Sequence, residues 1–443
     1  MLTKDRPREK ALSTLRAVED GAFTDALLDE ARATFDSRDS AFILELVNGV
    51  LRNRTLLDRA LDQFSSYPIA TTDAWTRNIL RMAAYQMLFL DRVPVSAAVN
   101  TATDLAKIRG KKHGYVNGLL RNLDRKRGEV KPPASADPIE RLSTVYSHPA
   151  WLVKRWFSQY GAEATEAICA SNNRPAPLVI RTNIMRTTRA ELRTSLESEG
   201  AMVSETGFSP AGLVVMSSPG LRQLTAYKKG WFTVQDEAAQ LVGLLLAPRP
   251  GEAVLDACAA PGGKATHLAE LMRNEGTVVA LDPDSRRLER VIENTKRLGA
   301  SIIRPVKGDA TLWHEGTYDK VLIDAPCSGL GVLRRHPDGR WTKNEKDILA
   351  RRQVQDRILA NCAPLLKPGG AMVYATCTTA QEENEDAVDA FLAGSGNGYR
   401  IDDPRPYLPE QAHSLVDTKG FFRTYPAALD MDGFFGVRMV RNT

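Results

Sequence analysis

AVLDACAAPGGK, residues 253–264, is the stretch that decides the fold of this chain. An apolar run typical of a buried strand ends in Asp256, a turn with two glycines follows, and Lys264 stands where a helix begins. From Gln235 onward, further apolar runs alternate with helical patterns, which is typical of βαβ units. Strands are predicted at 253–255, 277–281, 302–303, 320–323 and 371–374, with helices at 267–273 and 286–298. The sequence therefore predicts a doubly wound, parallel α/β sheet over 235–443.

Acidic side chains follow the strands of this predicted sheet at their carboxyl ends. Asp282 ends the second strand, Asp309 follows the third, and Asp324 ends the fourth. Ligands of open α/β sheets bind outside these strand ends, and an acid about twenty residues past the glycine turn suits ribose hydroxyls. Asp309 would then accept from an adenine amino group, although helix caps and turns also use aspartate. The pattern predicts a nucleotide-type cofactor whose glycine turn is neither G-x-G-x-x-G nor a P-loop.

Two cysteines also follow buried strands. Cys327 comes after Asp324-Ala325-Pro326, and Cys377 comes after Ala375-Thr376. A lone cysteine there is usually a small buried hydrophobe, but two at neighbouring strand ends favour a reactive thiol facing the cofactor. The five cysteines form no C-x-x-C pair or Cys/His cluster, so no metal site is predicted. Their odd, low number argues against structural disulfides and suits the reducing cytoplasm.

The rest of the chain predicts three further segments. Residues 1–130 carry apolar positions three and four apart, which predicts helices, and the proline-rich start of 131–145 predicts a linker. Residues 146–234 predict a small α+β module with strands at 178–181 and 212–216 and a helix capped by Thr188. Its polar and basic points are Arg181, Asn183, Lys228 and Lys229.

The composition indicates a partner only through its net positive charge, which is compatible with an anionic partner such as nucleic acid. The 443 residues carry a net charge of +5, with basic residues concentrated at 107–113 and 121–127. Such runs are either solvated helix faces or contacts to nucleic acid, and the sequence leaves both open. No apolar run approaches the roughly 18 residues of a membrane span, and the start lacks a secretory signal pattern. We expect a cytoplasmic monomer without a membrane or metal partner.

Five motifs resemble those of the NOL1/NOP2/Sun family of RNA cytosine-5 methyltransferases. They are DACAAPGGK, LDPDSRRL, GDA, DAPCSGLGVLRRHPD and YATCT. The resemblance implies a Rossmann-like domain that binds S-adenosyl-L-methionine, with Cys377 attacking cytosine C6 and Cys327 assisting product release. Thiolate addition is what makes C5 nucleophilic, and the later elimination needs an acid or base. Lys264 and Asp324 belong to the implied catalytic group. The implied cofactor contacts are Cys258, Ala259, Ala260, Pro261, Gly262, Gly263, Lys264, Asp282, Arg287, Asp309 and Asp324.

The N-terminal helices resemble a NusB-like RNA-binding domain, through residues 42–52, 94–100 and 115–121. Together the resemblances imply methylation of C5 of a cytidine in 16S rRNA, either free or in an early small-subunit assembly intermediate. Two alternatives remain at this stage. The same chemistry could act on tRNA, or the chain could be a non-catalytic RNA-binding factor with a vestigial methyltransferase fold.

Overall fold

The computed structural model describes residues 5–109, 112–131, 135–395 and 398–443. The chain divides into two compact units. Met1–Pro175 and Leu333–Asn344 form one, called here the helical unit. Ala176–Val332 and Glu345–Thr443 form the other, called here the sheet unit. Lys111 and residues 132–134 of the predicted linker lie outside the described residues.

The helices and strands of the described residues have the following bounds. The α-helices are α1 Arg6–Glu19, α2 Thr24–Thr34, α3 Ser37–Arg52, α4 Arg54–Asp62, α5 Ala74–Phe89, α6 Val95–Arg109, α7 His113–Arg125, α8 Pro138–Val145, α9 Ala150–Asn173, α10 Arg189–Ser198, α11 Thr225–Lys228, α12 Glu237–Leu246, α13 Gly263–Leu271, α14 Ser285–Leu298, α15 Gly339–Thr342, α16 Glu345–Cys362, α17 Glu385–Gly394 and α18 Pro426–Leu429. The strands are β1 Leu178–Thr182, β2 Met202–Glu205, β3 Gly212–Ser217, β4 Phe232–Val234, β5 Ala253–Asp256, β6 Thr277–Asp282, β7 Ile303–Lys307, β8 Tyr318–Asp324, β9 Leu366–Thr376, β10 Tyr399–Ile401, β11 Phe421–Arg423 and β12 Phe435–Arg441.

The helical unit buries one apolar core, as the spacing of its apolar residues predicts. α3 is representative: Asp36 caps its N-terminus by accepting from the Asp39 N–H, and its residues at 43, 46, 47 and 50 are buried. The structure differs from the prediction after residue 130. Asp137 caps α8 inside the predicted linker, where a proline at the first helical position is tolerated. α9, predicted as part of the α+β module, belongs to the helical unit.

Leu333–Asn344 also belongs to the helical unit, although the sequence predicts 235–443 as one domain. Arg340 explains the placement, because its guanidinium is fully buried and donates to the carbonyls of Ser147 at 3.2 Å and Asn172 at 2.6 Å. Burial lowers the pKa of Arg340 to about 9. The Trp341 indole N–H donates to the Leu51 carbonyl at 2.8 Å. These partners lie far away in sequence, so local patterns cannot reveal them.

The sheet unit contains two sheets. The smaller is antiparallel in the order β2-β3-β1-β4, and α10 packs on it through Leu192 and Leu196. Thr188 caps α10 in a reciprocal capping box with Glu191, so the predicted cap is confirmed. The short β2 and β4 were not predicted, because neither carries an alternating run long enough to stand out from its neighbours.

The larger sheet has the order β10-β12-β9-β8-β5-β6-β7, and β11 pairs with β12. β9, β8, β5, β6 and β7 are mutually parallel, whereas β12 is antiparallel to β9. Apolar cores cover both faces, as a parallel sheet requires. The predicted doubly wound α/β fold is confirmed. It brings the carboxyl ends of β5, β6, β8 and β9 to one edge. None of the helices over the described ranges is long and apolar enough to cross a membrane.

Candidate active site

A cavity of about 500 Å³ lies at this edge of the sheet unit. Both thiols line it, and so do six of the predicted cofactor contacts: Cys258, Ala260, Asp282, Arg287, Asp309 and Asp324. The other predicted contacts, Ala259, Pro261, Gly262, Gly263 and Lys264, lie in the adjoining turn and helix start and do not line the cavity. The fold therefore brings the acids and the thiols of separate strands around one space.

The two thiols are in contact. The Sγ atoms of Cys327 and Cys377 are 3.3 Å apart, and both side chains are partly buried. The hydrogen bond to Cys377, burial and the nearby charges of Cys377 and Glu383 hold the pKa of Cys327 well above its ordinary value. Cys327 is thus kept as a neutral thiol, and one negative charge on the pair disfavours a second.

Lys264 supplies the positive charge of the site. Its Nζ lies 2.7 Å from Asp324 Oδ2 and 5.1 Å from the ring centroid of Phe434. Burial opposes the charge, but Asp324 and, to a lesser extent, Cys377 raise the pKa of Lys264. The attraction between two charges is shared by both partners. If negative charge on Cys377 stabilises the charged form of Lys264, charged Lys264 stabilises the Cys377 thiolate by the same free energy. Lys264 therefore favours charge on Cys377, whereas the surroundings of Cys327 oppose charge on that thiol.

Asp282 and Asp309, the rim acids at the strand ends, have different hydrogen-bond partners. Asp282 is buried, accepts from the Asp284 N–H at 3.0 Å and lies 3.4 Å from Arg287 Nη1. Arg287 also donates to the Ala260 carbonyl at 2.9 Å, which links the glycine turn to the end of β6. Asp309 is exposed, and its Oδ1 accepts from the N–H and hydroxyl of Thr311, both at 2.8 Å. Oδ1 of Asp309 therefore stabilises a turn, which is the alternative role of aspartate given by the sequence analysis.

The conformation and packing of the turn require a glycine at position 262. It adopts φ +99°, a conformation that favours glycine, and an added Cβ would lie 3.2 Å from Val291 Cα. Its N–H donates to the Ala259 carbonyl at 2.7 Å. Gly262 thus allows the turn and the close packing of α13 against α14.

Arg181 and Asn183, predicted as polar points of the small α+β module, are interior residues. Arg181 is fully buried, lies 2.6 Å from Glu270 Oε1 and donates to the Gly263 carbonyl at 2.8 Å. Asn183 is buried and donates to the carbonyls of Gly230 and Leu298. These two residues join the small sheet to the elements around the glycine turn. Lys228 and Lys229 are exposed, as expected of basic surface residues.

Asp256 was not predicted as a site residue. It is fully buried at the end of β5, and neither carboxylate oxygen meets a hydrogen-bond donor. Burial, reinforced by Asp324, raises its pKa to about 7. The charge of Lys264 and the backbone of Cys258 lower this pKa only in part. Asp256 does not line the cavity, whereas Asp282, Asp309 and Asp324 do. Carboxylates suit the ribose hydroxyls and the positive charges of S-adenosylmethionine, so the residues present fit the implied cofactor.

A second group missed by the sequence interpretation lies on α16. Arg351, Val354, Arg357 and Ile358 line the cavity from one helix face, with the spacing expected of neighbouring turns. Both arginines are exposed and give this wall of the cavity positive charge. Among the residues that the structure describes, no group of three or more His, Cys, Asp or Glu side chains could hold a metal ion.

Three family models match the chain in consecutive segments. Residues 5–125 match the NusB family, residues 148–220 match the ferredoxin-like domain of RsmF/B-like methyltransferases, and residues 243–440 match the 16S rRNA methyltransferase RsmB/F. The NusB-like resemblance of the N-terminal helices is thereby confirmed. The match over 148–220 identifies the small α+β module as ferredoxin-like. It includes α9, as the sequence predicts for that module, although the contacts of α9 place it in the helical unit.

Similar curated proteins cover nearly the whole chain. The probable ribosomal RNA small subunit methyltransferase B of Bacillus subtilis is 37% identical, over 98% of both chains. The ribosomal RNA small subunit methyltransferase B of Pseudomonas syringae pv. tomato is 36% identical over 89% of this chain and 88% of its own.

Solved structures agree in fold. The crystal structure of PH0851 superposes with a TM-score of 0.81 at 29% identity, covering 99% of both chains. NSun6 from Pyrococcus horikoshii, solved with SFG, covers 67% of this chain and 98% of its own with a TM-score of 0.59. At 23% identity, that second likeness concerns the fold alone.

The cavity at the strand ends, the three matching domains and the full-length relatives lead to the same conclusion. The chain is an S-adenosylmethionine-dependent RNA methyltransferase and belongs to the RsmB/F family of 16S rRNA methyltransferases.

Proposed function

We propose that this enzyme methylates C5 of a cytidine in 16S rRNA through a covalent bond between Cys377 and cytosine C6. The observation that carries the proposal is the 3.3 Å contact of two thiols in a cavity also lined by Asp282, where Lys264 favours charge on one thiol. Methylation at a base oxygen or an exocyclic nitrogen has no need of such a pair, because those atoms are nucleophilic without covalent activation.

Each residue has a distinct part in this reaction. Cys377, as a thiolate beside Lys264, adds to C6 and makes C5 nucleophilic. S-adenosylmethionine supplies the electrophilic methyl group. A base then removes the C5 proton, and Cys377 leaves as a thiolate, which restores the aromatic ring. Cys327, in contact with Cys377, assists that release. Asp324 keeps Lys264 charged and oriented through their 2.7 Å ion pair.

The cofactor would be held by the acids of the rim. Asp282 would accept from the ribose hydroxyls, and Asp309 would accept from the adenine edge. Cys258, Ala260 and Arg287 line the same cavity. The remaining turn residues, from Ala259 to Lys264, would act by shaping the turn.

We also propose the substrate and its setting. The relatives' names specify the small ribosomal subunit, and the NusB-like helices over 1–130 offer exposed basic residues at Lys112, Arg125 and Arg127. The helical unit would bind rRNA, free or in an early assembly intermediate, through phosphate contacts. We expect a monomer in the cytoplasm, where the five free cysteines remain reduced.

The test uses the purified full-length protein, methyl-labelled S-adenosylmethionine and three separate RNAs: a 16S transcript, 30S particles and bulk tRNA. We expect label in 16S rRNA and a single protected cytosine on bisulfite sequencing. Label in tRNA alone would favour the tRNA alternative. Label at a position other than cytosine C5 would overturn the proposed chemistry, and no transfer to any RNA would favour the non-catalytic alternative.

A further inference from the structure

A buried carboxylate lies between the residues that follow the two thiols. Glu383 is fully buried within the sheet unit. Its Oε1 accepts from the Ser328 N–H at 2.8 Å, and its Oε2 accepts from the Ser328 hydroxyl. Ser328 directly follows Cys327, so Glu383 holds the backbone and the side chain next to that thiol.

The same carboxylate reaches the second thiol through one more hydroxyl. Thr378, directly after Cys377, has its Oγ1 2.7 Å from Ser328 Oγ, and it accepts from the Ala380 N–H at 3.2 Å. Because the Ser328 hydroxyl has a single proton and donates it to Glu383, its contact with Thr378 must be one in which it accepts. The Thr378 hydroxyl donates to Ser328, and the Ser328 hydroxyl donates to Glu383.

Further contacts fix this network on both sides of each cysteine. Gln355 Nε2 donates to Glu383 Oε1 at 2.9 Å and to the Pro326 carbonyl at 3.0 Å, just before Cys327. Asn384, the next residue after Glu383, donates to the Thr378 carbonyl at 3.0 Å and accepts from the Thr376 hydroxyl at 2.6 Å. The neighbours of both thiols are therefore tied to the consecutive residues 383 and 384.

The charge of Glu383 is also directed at the thiols. Burial raises the pKa of Glu383, while its hydrogen bonds from Ser328 and Gln355 favour the ionised form. Negative charge on Glu383 is one of the causes of the raised pKa of Cys327.

We propose that Glu383 is a positioning residue that, by holding Ser328, which in turn contacts Thr378, sets the separation of Cys327 and Cys377. It touches neither cofactor nor substrate in this scheme, and its consequence for catalysis rests on the proposed function. The position of the sulfurs, however, is testable without any RNA. In proteins, misplacement of a reacting group by about 1 Å can cost about a hundredfold in rate.

The first experiment measures the sulfur separation directly. Diamide oxidises two neighbouring thiols to a disulfide and is itself reduced to the hydrazine, taking up both protons and both electrons. In the full-length wild-type protein we expect rapid formation of a peptide linked through Cys327 and Cys377, quantified by mass spectrometry. In Glu383→Gln the linked peptide should form about tenfold more slowly. Glutamine has an NH₂ group in place of one carboxylate oxygen, so it cannot accept from both the N–H and the hydroxyl of Ser328.

A second variant and a matched control complete the test. Ser328→Ala removes only the hydroxyl that joins Thr378 to Glu383 and should slow the disulfide in the same direction. Asp386→Asn removes one carboxylate from the same segment at a partly exposed position and should behave as wild type. Cofactor affinity, measured by calorimetry, should stay within about twofold in all three variants, because the rim acids are unchanged.

The third measurement is turnover on 16S rRNA. We expect kcat to fall about 10- to 100-fold in Glu383→Gln with KM for RNA nearly unchanged. Wild-type rates of disulfide formation in both Glu383→Gln and Ser328→Ala would overturn the inference, and should Glu383→Gln not fold, Ser328→Ala alone decides it. If disulfide formation slows but the wild type methylates no C5, the proposed function fails while the positioning role stands.

Discussion

The loops after β8 and β9 carry the same side chain at the same edge of one sheet, yet their surroundings differ. Cys327 faces the negative charge of Glu383, and its pKa is raised well above the ordinary value. Cys377 contributes to the raised pKa of Lys264, the positive group of the site. Parallel neighbouring strands explain why the sulfurs meet, but only the charges around them explain why one should attack and the other should stay protonated.

The largest effect should come from Cys377→Ala. We expect methyl transfer to fall by at least about 10³-fold, because the activation of C5 requires the covalent bond. Calorimetry should find cofactor affinity close to wild type. The control is Cys169→Ala, which removes a buried thiol of the helical unit. A residual rate of more than a few per cent of wild type would contradict the assignment of Cys377 as the nucleophile.

Cys327→Ala should accumulate the covalent RNA–protein adduct. Addition through Cys377 and methylation can proceed, while the release step loses its assisting group. A denaturing gel should therefore contain a shifted band that is absent in the double Cys327→Ala/Cys377→Ala variant. A variant with normal turnover and no shifted band would leave Cys327 as a packing residue only.

Lys264→Met should reduce the rate about 10- to 100-fold by removing the positive charge near Cys377, in the range of a lost charged hydrogen-bonding partner. The same change should slow alkylation of Cys377 by iodoacetamide, measured by peptide mass spectrometry at fixed pH. Lys367→Met removes a lysine that pairs with Asp319 at the surface and serves as the control. Equal alkylation of Cys377 in both variants would contradict the role of Lys264.

The pH dependence of alkylation separates the thiols without RNA. Because the pKa of Cys327 is raised, its reactive thiolate is scarce at neutral pH and increases only at more alkaline pH than for an ordinary cysteine. We therefore expect iodoacetamide to label Cys377 first between about pH 7 and 8. Glu383→Gln should shift Cys327 labelling to lower pH, since it removes one negative charge. Labelling of Cys327 first would reverse the proposed roles.

The smallest effect on the thiols should come from changes remote from them. Asp282→Ala should weaken cofactor binding by about tenfold to a hundredfold, corresponding to about 1.5–3 kcal/mol, with the order of thiol labelling unchanged. Asp389→Ala, an exposed acid, is the control for calorimetry. Unchanged affinity in Asp282→Ala would refute the placement of the ribose.

Neutralising Lys111, Lys112, Arg125 and Arg127 should make RNA binding less dependent on salt. The slope of the logarithm of the binding constant against the logarithm of the salt concentration should fall in magnitude by about 0.7–0.9 per lost phosphate contact.

The sequence by itself determined the elements whose signals are local. Apolar periodicity sufficed for the βαβ order and for the N-terminal helices, and Thr188 could be predicted as the N-cap of α10. The strand-end positions of Asp282, Asp324, Cys327 and Cys377 could be predicted too, because a parallel sheet collects such ends at one edge.

Only the tertiary structure decided the rest. Arg181 looks like a surface base in sequence but is buried against Glu270, and Arg340 draws Leu333–Asn344 into the helical unit through distant carbonyls. Glu383 lies in a run of acids that looks solvated, yet its carboxylate joins the two thiol loops. A buried charge is stabilised by partners that lie far away in the sequence. A local sequence pattern therefore cannot predict which charges will be buried.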